Sequence, residues 1–479
     1  MSTVGNWRGP SIVKDGLVLY LDAGSPNSYY DKASTTWKDI SGGGNNGTLT
    51  NGPTYNTGSG GGIVFDGTND YIQGTTILQP TDQFTISAWY KSTGAPSTND
   101  SVGGFILCAD PQLDHGYILT HSWLNQTVTF SHVVNAGLTT TNGSAPNNQI
   151  INVVGTWNGT TRSIYVNGAL VITQSYSSAI VYPGSGDRNF RIGMWGYSSF
   201  SRNFNGILYN ISLYNKGLTN SEVLQNFNAT KTRYYRPLTI AWIAATGETD
   251  PTIIGALNTL ETDLTTYGLT SKIKALYPMV GGTASKHKFN FMDARDLDAA
   301  YRLTFNGGWT HSSTGALPNG TTGWANTYIP GTLLDLNSTT NVYLRTNSTG
   351  IISDIGMLGT TGYQTELLTL YSNTLSSDYP FSRDSVANTD SRGNYTVINS
   401  STIGKKVYKN STAIISTTFR NEIFQGTNFI LSDWGYSGQS RFSNREIASS
   451  LFANAFTATE AVNYNTAIQA FQTTLSRNV

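Results

Sequence analysis

One cysteine in 479 residues, Cys108, excludes an intrachain disulfide. Charge is equally scarce: 12% of the residues are Asp, Glu, Lys or Arg, against about 25% in ordinary globular chains. With 29 acidic and 29 basic side chains, dispersed along the chain, the net charge is zero. No field exists to gather nucleic acid or anionic lipid. No apolar run approaches the roughly 18 residues of a membrane span. Nucleic acid and membrane are therefore not expected partners. Met1 to Gly9 lacks the basic and apolar parts of a secretory signal, so synthesis in the cytoplasm without a cleaved leader is expected. The five histidines (His115, His121, His132, His287 and His311) show no metal-ligand spacing, and a lone thiol cannot build a thiolate zinc site.

Glycine (50) and tyrosine (27) are abundant instead, and Ser, Thr and Asn fill most remaining polar positions. A hydrophobic share of 38% still permits a large core. The surface must then be solvated by hydroxyls and amides.

The chain repeats itself. Trp195-Gly196-Tyr197-Ser198 recurs as Trp434-Gly435-Tyr436-Ser437, and two residues later each is followed by Ser-Arg (Ser201-Arg202, Ser440-Arg441). Upstream, Asn189-Phe190 recurs as Asn428-Phe429, so the offset is constant, 434 − 195 = 239. From Lys14 to Asn228 the text is short β-type runs between Gly/Asn/Ser/Pro turns, among them 17–21, 62–65, 84–90, 127–130, 151–157, 162–166 and 207–214. Many alternate apolar and polar residues, which places one face of each strand in a core. Asn167-Gly168 between two such runs predicts a hairpin. Strands so spaced predict a two-sheet sandwich. Each copy closes on a helix with a capping box, Thr219-x-x-Glu222 and Thr457-x-x-Glu460. Val223, Leu224 and Phe227 are expected to line its inner face in the first copy, and Val462, Ile468 and Phe471 in the second.

Between the copies the style changes. Thr239–Ile243 reads as a strand. Asp250-Pro251 starts a helix with the stripe Ile253, Ile254, Leu257, Leu260 and Leu264, which Gly268 ends, and Lys272–Tyr277 is a further strand. The expected domains are 1–235, a small α/β connector over 236–300, and a diverged second copy over 301–479. In that copy Val342–Gly350 echoes Ile86–Gly94, and Val407–Asn410 echoes Ile164–Asn167.

The runs 16–24, 37–48 and 64–71, with Tyr165-Val-Asn-Gly168 and Leu218-Thr-x-x-Glu-Val223, resemble the laminin-G-like, concanavalin A-type jelly rolls. The resemblance implies an all-β fold of two such sandwiches joined by the connector, and a glycan- or protein-binding role. The Asn/Thr/Gly-rich style resembles modules of tailed-bacteriophage virions: capsid decorations, head fibres and tail fibres. It implies a virion location, other virion structural proteins as partners and a homo-oligomer whose multivalency strengthens weak sugar contacts.

Glycosidases of this fold place two carboxylates on one strand, typically as Glu-x-Asp-x-x-Glu. Glu248-Thr-Asp250 and Glu261-Thr-Asp263 have only the first half of that pattern. No Gly-rich phosphate loop and no Gly-x-Ser-x-Gly elbow leading into a helix is present. A non-enzyme is expected. Sugars are held by an aromatic face with amide and hydroxyl partners, which makes Trp195, Tyr197, Trp434, Tyr436 and Trp123 the candidate ligand residues, with Tyr117 and Tyr182 as further platforms. A Trp occurring in both copies is also what a shared core plug requires. Asp66, Asn69 and Asp70 offer oxygens for calcium at a sheet rim, against a plain reading of Asp66-Gly67 as a turn. The function these signals favour is a structural virion surface protein with glycan attachment. The alternatives are a bacterial surface polysaccharide-binding module, a remote glycoside hydrolase, and a purely architectural protein.

Overall fold

The computed structural model describes residues 11–29, 31–74, 78–95, 104–109, 116–132, 137–182, 189–197, 200–334, 337–357, 366–378, 383–421, 428–433 and 441–479. Of 104, 105, 108, 109, 195–197, 200 and 201 it describes the backbone alone. Chain contacts divide the molecule into two units. Unit 1 is 1–235 with 249–255, and unit 2 is 236–248 with 256–479.

Unit 1 is a sandwich of two antiparallel sheets. In spatial order the first is Ala169–Ser175, Thr161–Val166, Ile151–Trp157, Phe84–Ser92, Asn205–Tyr214, Gly62–Asp66 and Thr54–Asn56, with Leu17–Asp22 also paired to Asn205–Tyr214. The second is Leu138–Thr139, Thr127–Ser131, Tyr117–Ser122, Gly104–Ala109, Phe190–Ile192, Tyr71–Gly74, Gly47–Thr50 and Thr36–Trp37. Their inner faces interdigitate: Leu19, Ile63, Ile86 and Val153 from one meet Trp37, Ile72, Leu119, Phe130 and Phe190 from the other.

Unit 2 repeats this order, except that its second sheet has no counterpart of the edge strand Thr36–Trp37 among the described residues. Its first sheet is Thr412–Thr417, Gly404–Lys409, Gly393–Ser400, Ser338–Leu344, Ile447–Asn454, Gly315–Pro318 and Trp309–Ser312, with Ile273–Tyr277 paired to Ile447–Asn454. Its second is Asp384–Ala387, Thr374–Ser377, Leu367–Tyr371, Ile355–Met357, Asn428–Leu431, Trp324–Pro330 and Thr304–Asn306. Three register shifts recur at matching places: Leu17/Leu19 and Ile273/Ala275, Ile164/Tyr165 and Val407/Tyr408, and Leu208/Asn210 and Tyr343/Leu344. An extra residue in a strand re-aims everything after it, so shared bulges fix equivalence more firmly than shared letters.

The local sequence explains the joints. Asn167 (φ 51°) and Gly168 (φ 80°) form the two-residue hairpin turn whose twist matches its strands. Thr219 accepts from the Glu222 amide and Thr457 from the Glu460 amide, and both glutamates reach back, so the helices Asn220–Thr230 and Ala458–Thr474 begin on complete capping boxes. Asp250 Oδ1 accepts from the amide nitrogen of Thr252, 2.8 Å away, at the start of the helix Pro251–Thr266. No helix among the described residues is long and apolar enough to cross a membrane.

Four expectations need correcting. Thr239–Ile243 lies in a helix, Pro237–Thr246, not a strand. A short apolar run does not distinguish the two; Pro237 at the first position decides it, with the Glu261 carboxylate accepting from the amides of Leu238 (3.1 Å) and Thr239 (2.8 Å). Residues 236–300 are not a connector set apart, because Ile273–Tyr277 is the unit 2 counterpart of Leu17–Asp22. Leu224 (47% exposed) and Val462 (38%) face outward while Val223, Phe227, Ile468 and Phe471 are buried, since the inner stripe of each helix is narrower than three neighbouring apolar letters suggest. Finally, cross-strand pairing aligns Val342 with Ala88, not with Ile86. A two-residue slip keeps every side chain on its face, so letter matching alone does not detect it.

Candidate functional site

Of the expected ligand residues, Trp195 and Tyr197 lie on a strand, Met194–Tyr197, paired with Phe200–Asn203 so that Trp195 opposes Arg202. The motif is therefore an arm of a hairpin and not its turn. Trp434 and Tyr436 lie outside the described residues. Trp123 is half-buried at the tip joining Tyr117–Ser122 to Thr127–Ser131, next to the exposed Leu124. Its carbonyl accepts from Asn147 Nδ2 (2.9 Å); Asn147 Oδ1 is 2.9 Å from His121 Nε2, and His121 Nδ1 is 3.0 Å from the Tyr90 hydroxyl. Burial pushes His121 down to about 4, so this relay from tip to core is neutral near pH 7. Tyr117 is no platform: it is buried, packed 5.2 Å from Phe84. Tyr182 packs partly against the core, and its hydroxyl donates to the Pro80 carbonyl at 2.9 Å.

The Asp66 loop is a closed turn. Asp66 Oδ1 accepts from the amides of Thr68 (2.7 Å) and Asn69 (3.3 Å), Asp70 Oδ2 accepts from the Asp66 amide (3.0 Å), and Asn51 Nδ2 donates to the Asn69 carbonyl (2.9 Å). Burial pushes the Asp70 carboxyl up. A calcium ion needs about six to eight converging oxygens; here one oxygen each of Asp66 and Asp70 already accepts from backbone amides, as a plain turn requires. Among the described residues no group of three or more His, Cys, Asp or Glu is placed to hold a metal.

Several buried charges of unit 2 are held internally. Asp354 and Arg445 are both fully buried and 2.7 Å apart, with Thr369 Oγ1 (2.7 Å) and Ser443 Oγ (3.0 Å) also donating to Asp354. Lys405 and Arg420 bracket Asp384 at 2.8 and 3.0 Å; against the upward push of burial they hold its carboxyl below the usual range. Glu248 pairs with Lys286 at 3.0 Å, and Glu261 caps a helix, so neither Glu-Thr-Asp motif forms a catalytic pair.

Glu366 is the exception. It and Asp378 lie one step beyond the cross-strand pair of Leu367 and Ser377, with the Asp378 amide donating to the Glu366 carbonyl at 3.0 Å. Arg441 NH1 and Arg383 NH2 both reach Glu366 Oε1, while the buried Oε2 has no hydrogen-bond partner among the described residues. Burial, aided by Asp378 and opposed by Arg441 and Arg383, pushes Glu366 up to about 7. Asp378 itself is gripped by Arg383 Nε (2.8 Å) and NH2 (2.6 Å). Sequence reading missed this pair because twelve residues separate the two carboxylates; the only local signal is an acidic letter abutting the apolar run Leu367-Leu368.

Two clefts open in unit 1. One, about 230 Å³, is lined by Pro26, Asn27, Ser28, Asp31, Ser34, Thr36 and Lys38. The other, about 330 Å³, lies where the loop 78–82 passes Val18 and Asn215. Their linings are mainly amides, hydroxyls and small apolar groups.

No curated protein matches the chain. Among solved structures, domain 4 of AbnA, a GH43 extracellular arabinanase from Geobacillus stearothermophilus, aligns at 15% identity over 44% of this chain and 98% of its own, with a TM-score of 0.34. Trypanosoma rangeli sialidase in complex with DANA aligns at 18% identity over 45% of this chain and 33% of its own (TM-score 0.34). The botulinum neurotoxin type G receptor binding domain aligns at 13% over 44% and 51% (TM-score 0.33). The chain thus spans about a third of the sialidase and half of the neurotoxin domain. By fold the chain is a pair of concanavalin A-like jelly-roll sandwiches, and its residues 66–224 match the Laminin_G_3 family of the concanavalin A-like lectin/glucanases superfamily.

Proposed function

We propose that this chain is a non-enzymatic surface protein that uses two tandem sandwiches to make many weak contacts with neutral glycans, as a homo-oligomer on the particle of a tailed phage. One observation carries the binding reading. The openings of unit 1 present amides and hydroxyls beside Asp31, Lys38 and Asp82, whereas the buried carboxylates discussed above are held by cations or backbone amides. Weak polar contacts become useful through multivalency. The phage setting rests on the Asn/Thr/Gly-rich, low-charge sequence and on its resemblance to virion modules. The test has two arms. The multimerised full chain should bind neutral oligosaccharides on a glycan array without shortening them. Mass spectrometry should find it in purified particles at fixed copy number. Silence on the array removes the glycan role, and recovery only from the particle-free supernatant favours a bacterial polysaccharide-binding protein.

A hydrolase reading is favoured by Glu366 alone, a carboxyl near neutrality opposite a second carboxylate. It predicts chain shortening that Glu366→Gln abolishes. The non-enzymatic reading predicts none in either protein, and the arginine clamp on Asp378 supports it.

A further inference from the structure

The loop 78–82 leads into the central strand Phe84–Ser92, Val18 lies on the strand Leu17–Asp22, and Asn215 follows the strand Asn205–Tyr214. Pairing of Leu17 with Tyr214, and of Tyr214 with Thr85, brings the three to one end of the first sheet. Between them lies the cleft of about 330 Å³, at the small end of the range of about 300–1,000 Å³ for small-molecule sites. Val18, Leu78 and Pro80 give it an apolar side; Gln79, Asp82 and Asn215 give it polar groups. Two features set the cleft apart. The Tyr182 hydroxyl fixes the loop by donating to the Pro80 carbonyl at 2.9 Å, so the lining is held in place before any ligand arrives. In unit 2 the equivalent of Asn215 is Asn454, and both make the same backbone bond, to Gly16 at 2.8 Å and to Lys272 at 3.0 Å. The stretch before the central strand of unit 2 is instead the helical turn Gly331–Leu334. The loop that walls the cleft is therefore not part of the shared frame.

We propose that this cleft in unit 1 is a subsite for one uncharged pyranose ring. The apolar face of the sugar lies on Val18, Leu78 and Pro80. Its hydroxyl oxygens accept from the Asn215 amide, and one hydroxyl donates to the Asp82 carboxylate, which also rejects uronic and sialic acids by repulsion. The proposal rests on the glycan-binding reading above and assigns its position and sugar class.

The test uses the full chain on an array of neutral hexoses, N-acetylhexosamines, uronic acids and sialic acids, followed by titration of the best neutral sugar. Asp82→Ala and Asn215→Ala, both at exposed positions, should each weaken binding about tenfold with an unchanged melting temperature. Asp82→Lys should move the array signal toward acidic sugars, a shift that a merely structural role would not give. The control Asp31→Ala, in the other cleft, should change nothing. Wild-type binding that survives all three cleft variants overturns the subsite and leaves glycan binding standing. An array silent for the wild type overturns both.

Discussion

At the scale of the residue, the buried ionisable groups set the pH response, and they act in opposite directions. Burial holds His121 and His132 at about 4 and His287 at about 3, below the ordinary 6.5. Their unfolded forms take up protons first, so this stability is intact above pH 6.5 and is lost progressively as pH falls toward 4. Glu366 is raised from 4.5 to about 7, so its contribution is complete below pH 4.5 and is lost as pH rises through 7. Thermal melts from pH 7 to 4 should fall steadily for the wild type. They should fall less steeply for His132→Phe, whose ring would stay among Trp157, Phe84 and Tyr176. The Asp354–Arg445 pair gives a sharper expectation. Arg445→Ala leaves a carboxylate sealed at 0% exposure and should cost about 3–5 kcal/mol in urea unfolding, much more than replacing both partners by apolar groups. Little at this scale was legible in the sequence. Asp354, Thr369, Ser443 and Arg445 are scattered over 92 positions, and only closure of the sheets makes one network of them.

At the scale of the element, legibility was high wherever a local rule decides the backbone. Asn167-Gly168, the two Thr-x-x-Glu boxes and Asp250-Pro251 were readable because each satisfies its own neighbours. Thr219→Ala and Thr457→Ala should each cost about 1 kcal/mol, measured by chemical denaturation. Gly168→Ala should cost at least as much, because it combines a φ of +80° with a methyl group placed 3.0 Å from the Phe227 ring. Reading failed where a distant group decides. The helix Pro237–Thr246 takes part of its N-terminal cap from Glu261, more than twenty residues on. Likewise, the Asp66 turn and a calcium loop share the same letters, and the amide bonds within the loop are those of the turn. Millimolar calcium or EDTA should leave the melting temperature unchanged; a rise of several degrees with calcium would assign an ion to this rim.

At the scale of the molecule, the repeated tetrapeptide announced two copies of one topology, but not how differently each copy closes its interior. The row Phe84, Trp157, Arg162 and Gln174 in unit 1 corresponds by pairing to Ser338, Asn399, Lys405 and Thr417 in unit 2. Around the first row Trp157, His132, Tyr117 and Tyr176 pack tilted or edge-on, with Arg162 3.8 Å over the Tyr176 ring. Around the second, Lys405 and Arg420 both bind Asp384. Each unit has its own core, so calorimetry of the full chain should give a van't Hoff enthalpy below the calorimetric one. The two stoppers also obey different thermodynamics. Grease loses its grip on cooling, whereas dehydrating ions becomes less costly on warming. Exchanging one stopper for the other requires several positions to change together, because the cation of the first rests on an aromatic ring and that of the second on a carboxylate.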